Sequence, residues 1–500
     1  MAGVNDYLKQ ITGQYRSGNA TEHTYRGDLA RLIEEICPGI TATNEPKRQE
    51  CGAPDYIISR KEIPVGFIEA KDIGADLNAV EKSEQIGRYL ESLDNLILTD
   101  YLEFRLFRNG EKVSAVHIGI LEKGKIIPDK NQWPVFENFI KDFCSFQTQT
   151  ITSAEKLSKL MAGKASLLQD AIYKSLTIDS GGSPVGGSAQ PAVYESQSPY
   201  GRISSLHEQL NAFKKILIHD MDERIFADIY AQTVVYGMFA ARLADPSLET
   251  FTRGEAMFLI PKSNPFLRQL FTYVAGPELD ERIAWIVDSL ADIFRACDIR
   301  KILEDFKKKS GQDPMIHFYE TFLGEYNPKL RKARGVYYTP EPVVKFIVHS
   351  VDEILNTEFG LDQGLADTSK VEITYENPNG KGKIKEKVHR VQILDPAVGT
   401  GTFLCEVIKQ IHAKFANQQE GVWNSYVDEH LIPRLHGFEF LMAPYAIYHL
   451  KLEMLLAETG YKPAKDQRLN VYLTNSLEEP HPDTQTLFAR WLSHEAEEAN

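Results

Sequence analysis

Two groups of residues in this sequence have types and spacings that could do chemistry. The first is Pro54-Asp55-Tyr56-Ile57-Ile58 followed by Val65-Gly66-Phe67-Ile68-Glu69-Ala70-Lys71. Both runs read as strands, and side chains alternate along a strand, so Glu69 and Lys71 share one face while Ile68 and Ala70 turn to a core. If the runs pair as neighbours, Asp55 comes near Glu69, and two carboxylates together suit a hard divalent cation such as Mg2+. Metal-assisted hydrolysis of a phosphodiester needs an activated water and positive charge for the developing phosphorane; the carboxylate pair and Lys71 would supply both. An isolated E-x-K also reads as a weak surface ion pair on a half-exposed strand. Downstream, Gln85 and Tyr89 stand four apart in a helical stretch, and therefore on one helix face.

The second group follows Val391-Gln392-Ile393-Leu394, an apolar strand that runs into Asp395-Pro396-Ala397-Val398-Gly399-Thr400-Gly401-Thr402-Phe403-Leu404. Glu406 to Phe415 then reads as a helix. A glycine-rich turn between strand and helix lets the backbone approach a nucleotide or a sulfonium cofactor closely. A dinucleotide fingerprint would want a third glycine where Leu404 stands, which disfavours NAD and FAD, and no G-x-x-x-x-G-K-[ST] phosphate loop occurs anywhere in the chain. Leu435 to Glu439 reads as the next strand, ending in an acid able to bond ribose hydroxyls. A later strand, Leu469 to Leu473, leads into Thr474-Asn475-Ser476.

The elements that must hold these groups fall into several parts. At 500 residues the chain exceeds one ordinary core, and about 150 residues per domain implies three. With 43% hydrophobic and 25% charged residues, its composition is that of a globular protein. Its net charge of -14 excludes a simple polycationic coat on nucleic acid but permits a local basic patch. Residues 1–150 read as a small α/β unit, with a helix over Glu22 to Ile36, strands at Tyr56 to Ile58, Val65 to Ala70, Asn95 to Thr99 and Glu103 to Arg108, and a helix around Lys82 to Leu93. Residues 151–202 comprise a helix and a Gly/Ser-rich linker, whose stretch SGGSPVGGSAQP lacks apolar periodicity. An all-helical connector spans 203–330, opened by a Ser205/Glu208 capping box and containing Ile283, Ile286, Leu290 and Ile293 at helical spacing. Residues 331–500 form a second α/β unit with a hairpin over Val371 to Val388 turning on NPNGKG. Cys37, Cys51, Cys144, Cys297 and Cys405 form no C-x-x-C pair and read as reduced buried thiols of a cytoplasmic protein; no apolar run approaches the ~20 residues that span a bilayer.

With these residues in view, the first unit resembles the PD-(D/E)xK nuclease superfamily, in which a D…E-x-K core precedes a Q-x-x-x-Y helix. The resemblance implies a restriction-endonuclease-like α/β fold in which Asp55 and Glu69 ligate Mg2+, Lys71 is the catalytic lysine, and Gln85 and Tyr89 act near the DNA backbone. The D-P-A-x-G-x-G-x-F run resembles the S-adenosylmethionine motif of amino-group DNA methyltransferases, and Gly335-Val336-Tyr337-Tyr338-Thr339-Pro340 looks like that family's G-x-Y-Y-T-P segment. This second resemblance implies a Rossmann-like class I methyltransferase domain. Thr339, Asp395, Pro396, Ala397, Gly399, Gly401 and Phe403 would surround the methionine part of the cofactor, Glu439 the ribose and Asn475 the adenine.

Nuclease, helical connector and methyltransferase in this order resemble fused restriction-modification enzymes of type IIG. That family implies double-stranded DNA as partner, adenine N6 as methyl acceptor, Mg2+-dependent cleavage of unmodified DNA in phage defence, and self-association for double-strand cutting, with no membrane partner. An adenine methyltransferase also needs an N/D-P-P-Y/F/W loop to hold the flipped base, and no Pro-Pro pair occurs in the chain. The expectation is therefore that these residues are the N-terminal portion of a longer enzyme, incomplete in the methyltransferase domain. The alternatives are a modification-only methyltransferase with a silent nuclease fold, or a non-catalytic DNA-binding or scaffold subunit.

Overall fold

Antiparallel strand pairs and one parallel pair, joined by a helical crossover, build the first sheet. The computed structural model describes residues 2–499 except 19, 45–52, 61–62, 147–149, 180–204, 245–249, 261–264, 277–278, 303, 305–313, 327–338, 378–379, 381, 416–419, 464–467 and 478–485. Two units make up the chain: one of Met1–Ala192, Glu249–Thr252 and Asp280–Ile302, the other of Val193–Leu248, Arg253–Leu279 and Leu303–Asn500.

In the first unit, α1 (Ala2–Arg16) and α2 (Glu22–Ile36) precede β1 (Ile40–Thr43), β2 (Tyr56–Arg60) and β3 (Ile63–Ala70). Helices α3 (Leu77–Glu81) and α4 (Glu84–Ser92) then carry the chain across to β4 (Asn95–Thr99), which is followed by β5 (Glu103–Arg108) and β6 (Glu111–His117). The six strands lie in sequence order; β3 and β4, joined by the helical crossover, pair in parallel, and the other neighbours pair antiparallel. Every residue of β4 is buried, as an inner strand covered on both faces requires. On α1 the buried Val4, Tyr7, Leu8 and Ile11 recur at i, i+3, i+4 and i+7, and on α2 Tyr25, Leu29, Leu32 and Ile33 do the same work; both stripes join the core of β2, β3 and β5. A small hairpin, β7 (Gly119–Glu122) and β8 (Lys125–Pro128), leads to α5 (Trp133–Cys144), and α6 (Ala154–Asp179) packs on α4 and on the helix Glu281–Arg295. In that last helix Ile283, Ile286, Leu290 and Ile293 are all buried, as their spacing predicts. The SGGSPVGGSAQP stretch lies outside the described residues.

Among the described residues the second unit begins with helices: α7 (Ser205–Ile216), α8 (Glu223–Ala244), α9 (Arg253–Leu259), α10 (Pro265–Ala275) and α11 (Pro314–Tyr326). After α12 (Glu341–Thr357) comes the expected hairpin, β9 (Lys370–Glu376) with β10 (Lys383–His389), in which Glu376 pairs with Lys383 across the NPNGKG turn. Three short parallel strands, β11 (Ile393–Asp395), β12 (Leu435–Glu439) and β13 (Val471–Leu473), form a sheet in that order. They alternate with α13 (Thr402–Ala413), α14 (Glu420–Tyr426) and α15 (Met442–Glu458), and α16 (Leu487–Glu497) follows. Helix α15 is buried on nearly every side and packs against α8, which explains its lack of a polar face. The described cysteines, Cys37, Cys144, Cys297 and Cys405, are buried thiols, with no disulfide among the described residues. Among the described residues no helix is long and apolar enough to cross a membrane.

Candidate active sites

The first site lies at one end of the β2–β3 pair. Tyr56 stands opposite Ile68, so Asp55, one residue before β2, falls across from Glu69. Both carboxylates are buried, at 5% and 3% exposure, while Ile68 and Ala70 enter the core behind them. Asp55 Oδ2 accepts from the Ala70 amide at 2.7 Å, and Oδ1 accepts from Arg26 Nη2 at 2.5 Å. Glu69 Oε1 accepts from Lys71 Nζ at 2.6 Å and from Gln85 Nε2 at 3.2 Å. The Ser83 hydroxyl caps α4 by accepting from the Ile86 amide, and this helix presents Gln85 and Tyr89 on one face, 3.0 Å apart. Burial first, and the Glu69 charge second, push the Tyr89 phenol well above its usual range, so Tyr89 stands as a neutral hydroxyl. The structure thus brings Asp55, Glu69, Lys71, Gln85 and Tyr89 together.

Arg26 was missing from the sequence reading. It shares a helix face with Leu29 and Ile33, and a cation on a buried apolar stripe was the available signal, since such a residue needs a buried partner. Two hard carboxylate oxygens fit a small divalent cation in chemical type. Among the described residues no three His, Cys, Asp or Glu converge on one point, so water and substrate oxygens would have to complete a coordination shell.

The second site lies at the carboxyl ends of β11, β12 and β13, where open parallel sheets hold their ligands. Gly399 and Gly401 both have left-handed backbone, with φ of 54° and 79°. At Gly401 a Cβ would lie 1.8 Å from the Tyr448 ring, so no side chain fits there. Gly401 caps α13, and the turn is closed by the Gly401 amide donating to the Val398 carbonyl at 2.8 Å. Asp395 ends β11 with Oδ1 accepting from the Ala397 amide at 3.2 Å, and burial raises its carboxyl above the ordinary range. Pro396 and Ala397 form an exposed lip, and Phe403 is half-buried in the first turn of α13. Glu439, ending β12, accepts from the Gly399 amide on Oε2 at 2.9 Å and from the Phe440 and Leu441 amides on Oε1, which ties the acid to the glycine turn. Burial raises this carboxyl too, against the lowering by those three amides.

The Thr474 amide donates to the Glu439 carbonyl at 2.9 Å, which sets Asn475 and Phe440 just beyond neighbouring strand ends. Asn475 turns its carbonyl oxygen to the Leu477 amide at 3.1 Å and its amide to the Leu217 carbonyl at 3.4 Å. Thr339 is half-buried ahead of α12 and makes no hydrogen bond among the described residues; Gly335 to Tyr338 lie outside them. Three further residues escaped the sequence reading. Phe440 is 48% exposed beside Glu439, Thr400 is buried in the glycine turn with its hydroxyl unpartnered among the described residues, and Tyr448 lies under Gly401. An exposed aromatic directly after a strand-ending acid was a readable signal for Phe440; nothing local marks Tyr448. A cradle that excludes Cβ, an exposed lip, a buried carboxyl with spare lone pairs and an unfilled hydroxyl fit a cofactor with a sulfonium and a nucleoside.

Residues 310–490 match the family model of N-6 DNA methylases, so the second unit carries a domain of that kind. A search of curated proteins finds no match. Among solved structures, the chain is similar to DrdV in a cryoEM DrdV–DNA complex, at 19% identity and a TM-score of 0.40 over 96% of this chain and 40% of that one. It is also similar to a nuclease-deletion mutant of the Type ISP restriction-modification enzyme LlaGI in complex with a DNA substrate mimic, at 18% identity and TM-score 0.44 over 73% of this chain and 24% of that one. A third likeness is to the ATP-dependent Type ISP restriction-modification enzyme LlaBIII bound to DNA, at 18% identity and TM-score 0.43, covering 75% and 21%. The chain therefore spans less than half the length of each of these proteins.

Proposed function

We propose that this chain supplies the nuclease (1–150), the following helix and linker (151–202), the connector (203–330) and the cofactor-binding part (331–500) of a type IIG-like restriction-modification enzyme. Its partner would be double-stranded DNA, with self-association for cutting both strands, in the cytoplasm. The observation behind the proposal is that one chain holds both a buried Asp55–Glu69 pair with Lys71 attached and a glycine cradle tied to a strand-ending acid.

At the first site Asp55 and Glu69 would hold Mg2+, which supplies an activated water when bound. Lys71 would offer its ammonium to the negative charge developing on the phosphoryl oxygens, and Gln85 holds Glu69 by donating to its Oε1. At the second site Thr339, Asp395, Pro396, Ala397, Gly399, Gly401 and Phe403 would enclose the methionine part of S-adenosylmethionine, with Glu439 at the ribose and Asn475 at the adenine. The cofactor supplies an electrophilic methyl group for adenine N6. Glu439 does two things in this arrangement: it fixes the turn through the Gly399 amide and keeps lone pairs for ribose hydroxyls. No Pro-Pro pair occurs among the 500 residues, and none of them is assigned to the flipped base.

One observation favours a second reading, a modification enzyme with a silent nuclease fold: Arg26 already neutralises Asp55. Unmethylated phage DNA incubated with the chain and Mg2+ separates the two. EDTA-sensitive cutting is expected, and intact DNA would overturn the nuclease half. Photo-crosslinking of labelled S-adenosylmethionine, lost on changing Gly401, tests the other half; undiminished labelling would overturn it. Tritium transfer to DNA by this chain alone would show that it holds an adenine without a Pro-Pro loop.

A further inference from the structure

A cavity of about 510 Å³ in the first unit serves neither site. Its walls come from the start of β3 (Pro64 to Phe67), the start of β4 (Asp94 and Asn95), the end of α5, Lys164 on α6 and the last turns of the helix Glu281–Arg295. The strand β3 can enter so closely because Gly66 has no side chain: a Cβ there would lie 2.5 Å from the Phe143 ring and 2.8 Å from the Asn95 amide nitrogen. We propose that this cavity binds a small phosphate monoester, with Lys164 and Arg60 holding the phosphate and Asn95 accepting a hydrogen bond from the remainder of the molecule.

Lys164 carries the first part of the argument. It is 2% exposed, and its ammonium has three donors, of which one reaches the Ser289 hydroxyl at 2.7 Å. The ammonium also lies 5.7 Å from the centre of the Phe67 ring. Buried charges are ordinarily paired, yet no ion pair engages Lys164 among the described residues. Asp292, on the neighbouring helix, is held by Arg295 at 2.6 Å. Burial lowers Lys164 to about 8 even though Asp94 and Asp292 act to raise it, and burial raises both of those carboxyls, Asp292 to about 6. Counted formally, Arg60, Lys164 and Arg295 face Asp94 and Asp292, so the lining has a surplus cation. An anion seated there would fill the free donors of Lys164 and restore its charge.

Asn95 supplies the second, independent part. It is 2% exposed and spends its amide nitrogen on the Val65 and Phe143 carbonyls, at 2.8 and 3.0 Å, but its carbonyl oxygen is buried with no partner. An unfilled buried acceptor costs about 1–3 kcal/mol unless something donates to it, and a hydroxyl or amino group on the ligand would. Size decides between a bare ion and an ester. Small-molecule pockets run from about 300 to 1,000 Å³, and this cavity falls inside that range, with far more room than an inorganic ion fills. Arg60, an exposed member of the lining, has a side chain that donates among the described residues to the Cys144 carbonyl at 3.2 Å and can turn to the phosphate at the rim.

Calorimetric titration of the intact chain with inorganic phosphate, ribose 5-phosphate and ribose tests the proposal. Saturable binding of phosphate, tighter binding of ribose 5-phosphate and none of ribose are expected, with ribose 5-phosphate affinity reduced at least about tenfold, or 1.4 kcal/mol, in Lys164→Met and in Arg60→Met. Arg60 is exposed, so its variant keeps the fold if Lys164→Met does not. Absence of ribose 5-phosphate binding by the unaltered chain, or affinity unchanged in Arg60→Met, would overturn the proposal, as would ribose binding as tightly as ribose 5-phosphate.

Discussion

Arg26 and Asp55 form an ion pair of 2.5 Å in which both side chains are almost wholly buried, and it joins α2 to the start of β2. The Tyr56 hydroxyl donates to the Arg26 carbonyl at 3.0 Å, so helix and strand are pinned twice within two residues. Removing one member of a buried pair leaves the other uncompensated, which typically costs about 3–5 kcal/mol, more than either contributes as a pair. Arg26→Met is therefore expected to lower unfolding free energy by about that amount, and Arg26→Met with Asp55→Asn to recover most of the loss. A double-mutant cycle in urea measures this. Additive losses in the double variant would mean that the two groups do not compensate each other.

Lys71 lies at the other side of the same carboxylate cluster, partly exposed and bonded to Glu69. Its loss should cost less stability than loss of Arg26, because Lys71 is partly exposed and Glu69 keeps the Gln85 amide. Under the proposed function, Lys71→Ala should reduce Mg2+-dependent cutting by roughly 100-fold or more, the scale of one lost transition-state charge contact. Plasmid nicking beside a circular dichroism melt checks both halves, and cutting at the original rate would remove Lys71 from the chemistry.

Much of this architecture could be read in advance where the pattern is local. Strands β2, β3, β4 and β5 alternate or run apolar, α2 carries an apolar stripe, and the NPNGKG hairpin has its turn chemistry written into it. What could not be read is set at long range. Strand β6 exposes nearly all its residues and shows no apolar period; it is a strand because β5 offers an edge to pair with. The Arg26–Asp55 pair, the Asn475–Leu217 contact and the Tyr448 ring under Gly401 join residues far apart in sequence, and composition around each says nothing of its partner. The candidate site residues Asp55, Glu69 and Lys71 are legible in the sequence, whereas the cation that restrains Asp55 emerges only with α2 in place.

Gly399 and Gly401 share a left-handed backbone but not their surroundings. An alanine at either position meets the intrinsic cost of a left-handed conformation, about 1–2 kcal/mol. At Gly399 nothing lies within 4 Å of the added carbon, so Gly399→Ala should cost little more than that and keep the turn. At Gly401 the carbon would overlap the buried Tyr448 ring at 1.8 Å, so Gly401→Ala should cost several times more and displace the start of α13. Melting temperatures of the two variants order them. A Gly399→Ala variant less stable than Gly401→Ala would contradict the geometry.

His449, on α15, gives the second unit an acid-sensitive element. Its side chain is 1% exposed between aromatic neighbours, with the Tyr445 ring 4.7 Å away, and burial followed by the Arg468 charge lowers its pKa to about 3 from an ordinary 6.5. The folded state therefore favours neutral imidazole, while the unfolded chain takes up a proton near 6.5. The corresponding stability is fully present above that value and is lost as pH falls from about 6.5 to about 3, at up to about 1.4 kcal/mol per pH unit. His449→Phe removes the titrating group while keeping an aromatic ring. Unfolding free energies at pH 7, 6, 5 and 4 should converge for the two proteins at the acid end, or cross in favour of His449→Phe. A constant difference between the two curves across that window would show that His449 does not couple folding to protons.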